Sequence, residues 1–184
     1  LLAVMAIHHT GRPALIVVPT IDLMLQWQQV LQHWFAREIG MLGGGGHERR
    51  ELTVTTYDSA AAQTEFHGNR FGLLICDECH HLPAPAYRFI AAGSLAPYRL
   101  GLTATLERAD GLEAVAIELL GPVRYRARID ELEGSYLAPY EIHTIEVTLD
   151  EDEQARYDEC RALYVDALRG SGVSLNHPGG WAQF

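Results

Sequence analysis

The chain has 184 residues, of which 48% are hydrophobic, and its formal net charge is −10 at pH 7. This apolar content provides for a buried core and excludes wholesale disorder, and no apolar run approaches the roughly 20 residues of a membrane-spanning helix. Three cysteines are too few and odd in number for a disulfide framework, so we expect a cytoplasmic protein.

The negative charge is concentrated in the last third of the chain. Residues 1–128 carry 12 acidic and 11 basic side chains, whereas residues 129–184 carry 12 acidic and 3 basic ones, so the two segments have net charges of −1 and −9. All 14 basic residues are arginine. Together with a change of pattern after Gly121-Pro122, this division predicts one domain over 1–128 and a separate acidic segment over 129–184.

Short apolar runs alternate with helical patterns over the first 128 residues, which predicts an α/β fold with a parallel sheet. Residues 1–9 have the pattern of a helix interior. Strands are predicted at 14–18, 39–42, 52–55, 71–76 and 98–102, and helices around 27–34, 84–92 and 112–120.

The acidic segment has a different pattern. Residues 141–149 alternate apolar and polar side chains, which predicts a half-exposed strand. Four acidic residues at 150–153 form the first turn of a predicted helix. Residues 170–180 contain glycine, serine and proline and are predicted to form a loop.

The most informative feature is an apolar strand that ends in two adjacent carboxylates, Asp77 and Glu78. Open parallel sheets bind their ligands at the carboxyl ends of the strands. In phosphoryl-transfer sites, an aspartate at this position holds Mg²⁺, often through water, and a neighbouring residue orients the attacking water. The pair therefore suggests a site for Mg–ATP, with Asp77 near the metal and Glu78 near the water.

The same stretch allows other interpretations. Cys76 to His80 matches the C-x-x-C-H pattern of c-type haem attachment, and Cys76, Cys79, His80 and His81 are residue types that bind zinc. A zinc site would lack a second spaced ligand pair. Because Cys76 belongs to a strand predicted to be buried, we favour the interpretation of both cysteines as small buried hydrophobic residues.

Hydroxyl-bearing residues follow or end three further predicted strands. They belong to the stretches Pro19-Thr20, Thr55-Thr56-Tyr57 and Thr103-Ala104-Thr105. Hydroxyl groups at this edge can bind nucleic-acid phosphates without reading sequence, and those of the last stretch can bond to the acid pair. Taken singly, each stretch is more typical of turns and helix caps.

In this order and spacing, the four stretches resemble the motifs of a superfamily 2 helicase. Asp77-Glu78-Cys79-His80 resembles a DExH box, and Thr103-Ala104-Thr105 resembles motif III. Pro19-Thr20 is similar to motif Ia, and Thr55-Thr56-Tyr57 is similar to a later DNA-contacting motif.

Two further stretches resemble the XPB-type branch. Residues 101–111 are similar to a run in which an Arg-Glu-Asp element follows motif III; here the element reads Arg108-Ala109-Asp110 and lacks the middle acid. Residues 136–142 are similar to the region that leads out of that family's first motor domain. The helix that follows would lead toward a thumb-like insertion.

The resemblance implies a RecA-like first motor domain of an ATP-dependent DNA helicase or translocase. It implies ATP and Mg²⁺ as cofactors, DNA as a partner, and a second motor domain downstream. It assigns catalysis to Asp77 and Glu78, with Asp77 at the Mg²⁺. Motor coupling falls to His80, Thr103, Thr105, Arg108 and Asp110. DNA contact falls to Pro19, Thr20, Thr55, Thr56 and Tyr57.

The phosphate-cradling half of the site is expected upstream of Leu1. No G-x-x-x-x-G-K-[ST] pattern occurs, the glycines at 43–46 precede histidine rather than lysine, and the sequence contains no lysine. We therefore expect a RecA-like sheet that lacks its P-loop strand and does not turn over ATP by itself. The alternative is a non-hydrolysing DNA-binding or restriction-system subunit with a helicase-like fold.

Overall fold

The chain forms two units. The computed structural model describes residues 1–105, 111–127 and 143–171. Backbone contacts group the chain into an N-terminal unit, Leu1–Tyr125, and a C-terminal unit, Arg126–Phe184. The predicted boundary after residue 128 lies outside the described residues and stays a prediction.

The N-terminal unit alternates strands with helices, as the sequence pattern predicts. Its helices are α1 (Leu2–Thr10), α2 (Ile21–Phe35), α3 (Tyr57–His67), α4 (Arg88–Ala92) and α5 (Glu113–Leu120), with a 3-10 helix at Cys79–His81. Its strands are β1 (Ala14–Val18), β2 (Gly40–Gly43), β3 (Gly46–Glu48), β4 (Leu52–Thr56), β5 (Leu73–Asp77) and β6 (Tyr98–Leu102).

One mixed sheet joins these strands in the order β3-β2-β4-β1-β5-β6. All neighbours are parallel except β2 and β3. Val17 of β1 pairs with Thr55 of β4 on one side and with Cys76 of β5 on the other. Because the parallel strands run in the same direction, their C-terminal ends meet along one side of the sheet, which we call the carboxyl edge. The predicted α/β architecture is confirmed.

Both faces of the sheet are buried under helices. Ile16 and Val18 pack into one hydrophobic cluster with α1 and α2, whereas Val17 and Cys76 pack into another with α3 and α4. Side chains of a strand alternate between its two faces, so a continuous apolar run such as β1 contributes to both clusters. Fully burying one such side chain contributes about 1.5–3 kcal/mol.

The four consecutive glycines form a β-hairpin rather than an open loop. Gly43 ends β2 and Gly46 begins β3, which returns antiparallel to β2. Gly43, Gly44 and Gly45 all have positive φ, at 106°, 58° and 86°. Only glycine adopts these conformations without a steric cost, which explains the composition of the turn. The sequence does not predict β3, because it is three residues long and lacks an apolar pattern.

Two helices also differ from the prediction. Helix α3 is not predicted, since its alanine-rich and polar sequence has no apolar stripe; Thr56 starts it by accepting a hydrogen bond from the N–H of Ser59 at 3.3 Å. The predicted helix over 84–92 is shorter, because only Arg88–Ala92 is helical. Pro85 disfavours helical geometry at the residue before it.

The C-terminal unit contains one long helix among its described residues, α6 (Glu151–Ser171). Asp150 and Glu153 form a reciprocal capping pair: the Glu153 N–H donates to Asp150 Oδ1 at 2.8 Å, and the Asp150 N–H donates to Glu153 Oε2 at 3.1 Å. The prediction of this helix is confirmed. The predicted strand is wrong for residues 143–149, which have no strand pairing, and the predicted loop is wrong for 170–171, where the helix continues. No helix in the described parts of the chain is long and apolar enough to cross a membrane.

The three cysteines differ in burial, and this difference predicts their reactivity. Cys76 and Cys79 are buried, whereas Cys160 of α6 is exposed. Burial raises the pKa of the Cys79 thiol to about 11 and raises that of Cys76 further. The thiolate is the reactive form, so a raised pKa and burial both slow modification. We expect Ellman's reagent at pH 8 to modify one thiol per folded chain rapidly and all three after denaturation.

The control for this prediction is Cys160→Ser, which should remove the rapid phase and leave the slow one. Rapid modification of more than one thiol in the folded chain would contradict the packing of Cys76 and Cys79 into the second cluster.

Candidate active site

The acid pair lies where β5 reaches the carboxyl edge. Asp77 is the last residue of β5, and Glu78 begins the turn into the 3-10 helix. Asp77 pairs with Leu102, the last residue of β6. The residues that follow these two strand ends, Glu78 and Thr103, are therefore neighbours.

Glu78 has an uncommon backbone conformation. Its φ of 48° and ψ of 51° place it in the left-handed region, which costs a residue with a side chain about 1–2 kcal/mol. Hydrogen bonds on both sides hold this geometry: the Glu78 N–H donates to Asp77 Oδ1 at 3.1 Å, and its carbonyl accepts from the N–H of His81 at 3.0 Å. Strained residues of this kind concentrate at functional sites, where the surroundings hold them in place.

Glu78, His80 and Thr103 form a polar cluster. Nδ1 of His80 lies 2.9 Å from Oγ1 of Thr103 and 3.3 Å from Oε2 of Glu78. The Thr103 hydroxyl lies 3.3 Å from the same Glu78 oxygen and 3.2 Å from the carbonyl oxygen of Thr105. A threonine hydroxyl has a single hydrogen, so Thr103 donates to one of these acceptors at a time.

The cluster extends to the backbone of the Thr103-Ala104-Thr105 stretch. The Thr105 N–H donates to Oγ1 of Thr103 at 3.1 Å, so the chain folds back on Thr103. The structure therefore brings together four predicted site residues, Glu78, His80, Thr103 and Thr105. Arg108 and Asp110, the other two predicted coupling residues, lie outside the described residues.

Asp77 is held by two aromatic residues from different helices. Its Oδ2 accepts a hydrogen bond from the indole Nε1 of Trp27 in α2 at 2.7 Å. Its backbone carbonyl accepts from the hydroxyl of Tyr57, the first residue of α3, at 3.0 Å. Asp77 is half-buried, so part of the residue remains accessible to solvent.

Tyr57 is a buried residue and not a surface one. Its side chain is 2% exposed and makes tilted ring contacts with Tyr87 and His81, whose ring centroids lie 5.2 and 5.8 Å away. Burial raises the pKa of its phenol far above the ordinary value, so the hydroxyl stays protonated and donates a hydrogen bond. Tyr57 thus holds the backbone carbonyl of Asp77 in place by a hydrogen bond.

The other predicted DNA-contacting residues differ in their exposure. Thr55 is buried, and its hydroxyl donates to the carbonyl of Leu42 in β2 at 2.7 Å. Thr56 is buried as the N-cap of α3. Pro19 is half-buried, and Thr20 is exposed at the N-cap of α2. Thr20 is the one of these residues whose side chain the structure presents openly to solvent.

The carboxylate oxygens at the end of β5 are the kind of ligand that Mg²⁺ prefers. Mg²⁺ is bound by one or two carboxylates together with substrate phosphates and water, rather than by a full cage of side chains. Asp77 and Glu78 provide two carboxylates, and the described residues contain no group of three or more His, Cys, Asp or Glu placed to hold a metal. Burial raises the pKa of the two neighbouring thiols, Cys76 and Cys79, so both carry their protons at neutral pH in this structure.

Two contacts at this site are not predicted from the sequence. In the sequence, Trp27 is notable only as part of the apolar periodicity of the helix predicted around 27–34. A packed indole N–H nevertheless requires a hydrogen-bond acceptor. Tyr57 is predicted at the surface, since its position after a hydroxyl-bearing strand end resembles a DNA-contacting motif. In neither case does the local sequence identify Asp77, 50 and 20 residues away, as the partner.

Comparison with solved structures supports the fold. The helicase domain of Hef from Pyrococcus furiosus superposes with a TM-score of 0.56 over 88% of this chain and 39% of that one, at 22% sequence identity. This likeness confirms the predicted RecA-like arrangement of the sheet.

Sequence comparison identifies closer relatives. The chain is 45% identical over 163 residues to the DNA 3'-5' translocase XPB2 of Sulfurisphaera tokodaii, which covers 89% of the chain and 37% of the relative. It is 35% identical to the DNA 3'-5' helicase XPB of Mycobacterium tuberculosis, over 94% of the chain and 35% of the relative. The chain thus spans little more than a third of these relatives.

The family match covers most of the N-terminal unit. Residues 2–108 match the family described as type III restriction enzyme, res subunit. This region contains β1 to β6, the acid pair and Thr103, so the match includes all the described residues of the candidate site. Beyond this match, the sequence is similar to those of XPB-type DNA 3'-5' helicases and translocases. The chain belongs to the family described as type III restriction enzyme, res subunit.

Proposed function

We propose that these residues form most of the first motor domain of an ATP-dependent DNA helicase or translocase. The observation that carries this proposal is the acid pair at the end of β5, where the strained Glu78 contacts His80 and motif III residue Thr103. This arrangement supports a role for Asp77 as a metal ligand, for Glu78 as a general base and for Thr103 as a coupling residue. The similarity to XPB-type proteins supports DNA as the nucleic acid.

In this proposal, the two carboxylates have different tasks. Asp77 would hold Mg²⁺, directly or through water, and the ion would supply positive charge to offset that of the ATP phosphates. Glu78 orients the attacking water and accepts its proton. The left-handed turn at Glu78 separates the two side chains, so that one faces Trp27 and the other faces Thr103.

Coupling to the nucleotide state is proposed for His80, Thr103 and Thr105. The Thr103 hydroxyl has acceptors in both Glu78 and Thr105 at similar distances, 3.3 and 3.2 Å. A change of charge or position at Glu78 during hydrolysis would therefore favour one hydrogen bond of Thr103 over the other. Since Thr105 belongs to the same backbone as Arg108 and Asp110, we extend the proposal to these two residues.

DNA contact is proposed for the start of α2 and of α3 at the carboxyl edge. Helix N-termini present backbone N–H groups that attract phosphate oxygens. Pro19 and Thr20 directly precede α2, with Thr20 as its N-cap, and Thr56 caps α3. Because Thr55 and Tyr57 are buried, we propose that they position this surface rather than touch the DNA themselves.

The family resemblance supports two further parts of the proposal. A phosphate-cradling P-loop is expected upstream of Leu1, since the 184 residues contain no lysine to neutralise the phosphates. A second motor domain is expected downstream in the same polypeptide. Both follow from the similarity to XPB-type proteins, of which this chain spans little more than a third.

The first test of this proposal separates the roles of the two carboxylates in the full-length protein. Glu78→Gln keeps the size of the side chain but cannot accept a proton, so hydrolysis should fall by about 10²–10⁴-fold while Mg–ATP affinity stays near the wild-type value. Asp77→Asn should weaken Mg–ATP binding as well as lower the rate. Steady-state hydrolysis and equilibrium nucleotide binding measure the two effects.

Near-normal hydrolysis by Glu78→Gln would remove Glu78 from the chemistry. No hydrolysis by the wild-type protein, with DNA binding retained, would favour a non-hydrolysing DNA-binding or restriction-system subunit.

The second test concerns the charge of the acidic segment. DNA binding by the 184-residue chain should be weak, insensitive to sequence and strongly dependent on salt, since backbone phosphates are its proposed contacts. Removing residues 129–184 eliminates a net charge of −9 and should strengthen binding severalfold at low salt. Fluorescence anisotropy with a labelled duplex at two salt concentrations measures this change.

A charge-neutral version of α6 separates charge from chain length. Replacing Glu151, Asp152 and Glu153 by their amides should reproduce part of the gain without shortening the chain. Unchanged affinity in both variants at low salt would contradict this role of the acidic segment.

A further inference from the structure

Trp27 links α2 to the acid pair by a side-chain hydrogen bond. Its indole Nε1 donates to Oδ2 of Asp77 at 2.7 Å. This distance lies at the short end of the range for hydrogen bonds between N–H donors and carboxylates. The two residues are 50 positions apart in sequence, so the contact depends on how α2 packs on the sheet.

The packing of α2 explains why Trp27 reaches Asp77. Met24 and Leu31 of the same helix are fully buried in the first hydrophobic cluster, and Trp27 packs against that cluster. Because β1 lies directly beside β5, a helix that begins after β1 and packs on this face can approach the end of β5. The apolar part of the indole is therefore fixed, and its N–H is directed at the carboxylate.

Asp77 is thereby held at both oxygens. Oδ2 accepts from Trp27 at 2.7 Å, and Oδ1 accepts from the backbone N–H of Glu78 at 3.1 Å. A carboxylate has about four lone-pair positions, so two remain available for other partners. The two donors restrict rotation of the carboxylate and thereby set the directions of its remaining lone pairs.

We propose that Trp27 is a positioning residue that orients Asp77 for its bound metal. This inference rests on the proposed function, in which Asp77 holds Mg²⁺. Hydrogen-bonding partners of metal-ligating carboxylates typically contribute about 10–100-fold to metal affinity or activity. Trp27 touches neither water nor nucleotide in this scheme; it acts through Asp77 and not through Glu78.

The test is Trp27→Phe in the full-length protein, which keeps an aromatic ring but removes the N–H donor. Mn²⁺ binding in the presence of ATP is measured by electron paramagnetic resonance in a Glu78→Gln background, where hydrolysis is blocked. The dissociation constant for Mn²⁺ should rise by about 10-fold. With Glu78 intact, the Mg²⁺ concentration for half-maximal hydrolysis should rise similarly, while the rate at saturating Mg²⁺ stays within about 3-fold of wild type.

Trp34→Phe is the matched control. Trp34 belongs to the same helix, lies seven residues further on and is 57% exposed. Its replacement loses an indole without touching Asp77, so both metal titrations should match wild type. If thermal melting shows that Trp27→Phe is unfolded, the same comparison uses Trp27→Met, whose flexible apolar side chain fills part of the indole volume and has no hydrogen-bond donor.

Equal Mn²⁺ affinity in the Trp27 and Trp34 variants would overturn the proposal, as would a lower metal requirement or a loss of rate alone in the Trp27 variant. This result is distinct from a failure of the proposed function. Lack of hydrolysis by the wild-type protein would overturn the motor function, whereas the Mn²⁺ measurement decides the role of Trp27 without any turnover.

Discussion

The parallel pairing of β5 between β1 and β6 is the constraint on which the rest of the site depends. It places the ends of these strands at one edge, so that residues far apart in sequence become neighbours. Asp77 accepts a hydrogen bond from Trp27 of the helix after β1, and Glu78 contacts the hydroxyl of Thr103 in the segment after β6. An antiparallel order would place alternate strand ends on opposite edges and separate these groups.

Local strain at Glu78 follows from the same constraint. The strand must end at Asp77 and turn at once, and the left-handed conformation of Glu78 achieves this within one residue. Its cost of about 1–2 kcal/mol is offset by the hydrogen bonds to Asp77 and His81, each of which contributes about 0.5–1.5 kcal/mol. The turn directs two adjacent carboxylates to different surroundings, which is the physical basis for giving them different roles.

The hydroxyl-bearing motifs have a structural function as well as a proposed one. Thr20 and Thr56 cap helices, and the hydroxyl of Thr55 bonds within the sheet. These contacts do not compete with a role in DNA binding, because a capped helix start still presents backbone N–H groups to phosphate. They do show why such residues support a functional interpretation only as a set, since each one alone is accounted for by local structure.

The sequence by itself determined the α/β class, most strands, the acid pair and the family, because these depend on local apolar periodicity and on short motifs. It did not predict the β3 strand or helix α3, which have little apolar pattern. It predicted a strand over 141–149, of which residues 143–149 have no pairing partner among the described residues. Only the tertiary structure decided that Tyr57 is buried and bonds to the backbone carbonyl of Asp77, and that Trp27 bonds to the Asp77 carboxylate. Those contacts depend on strand order and on helix packing across the sheet, which no local pattern of residues encodes.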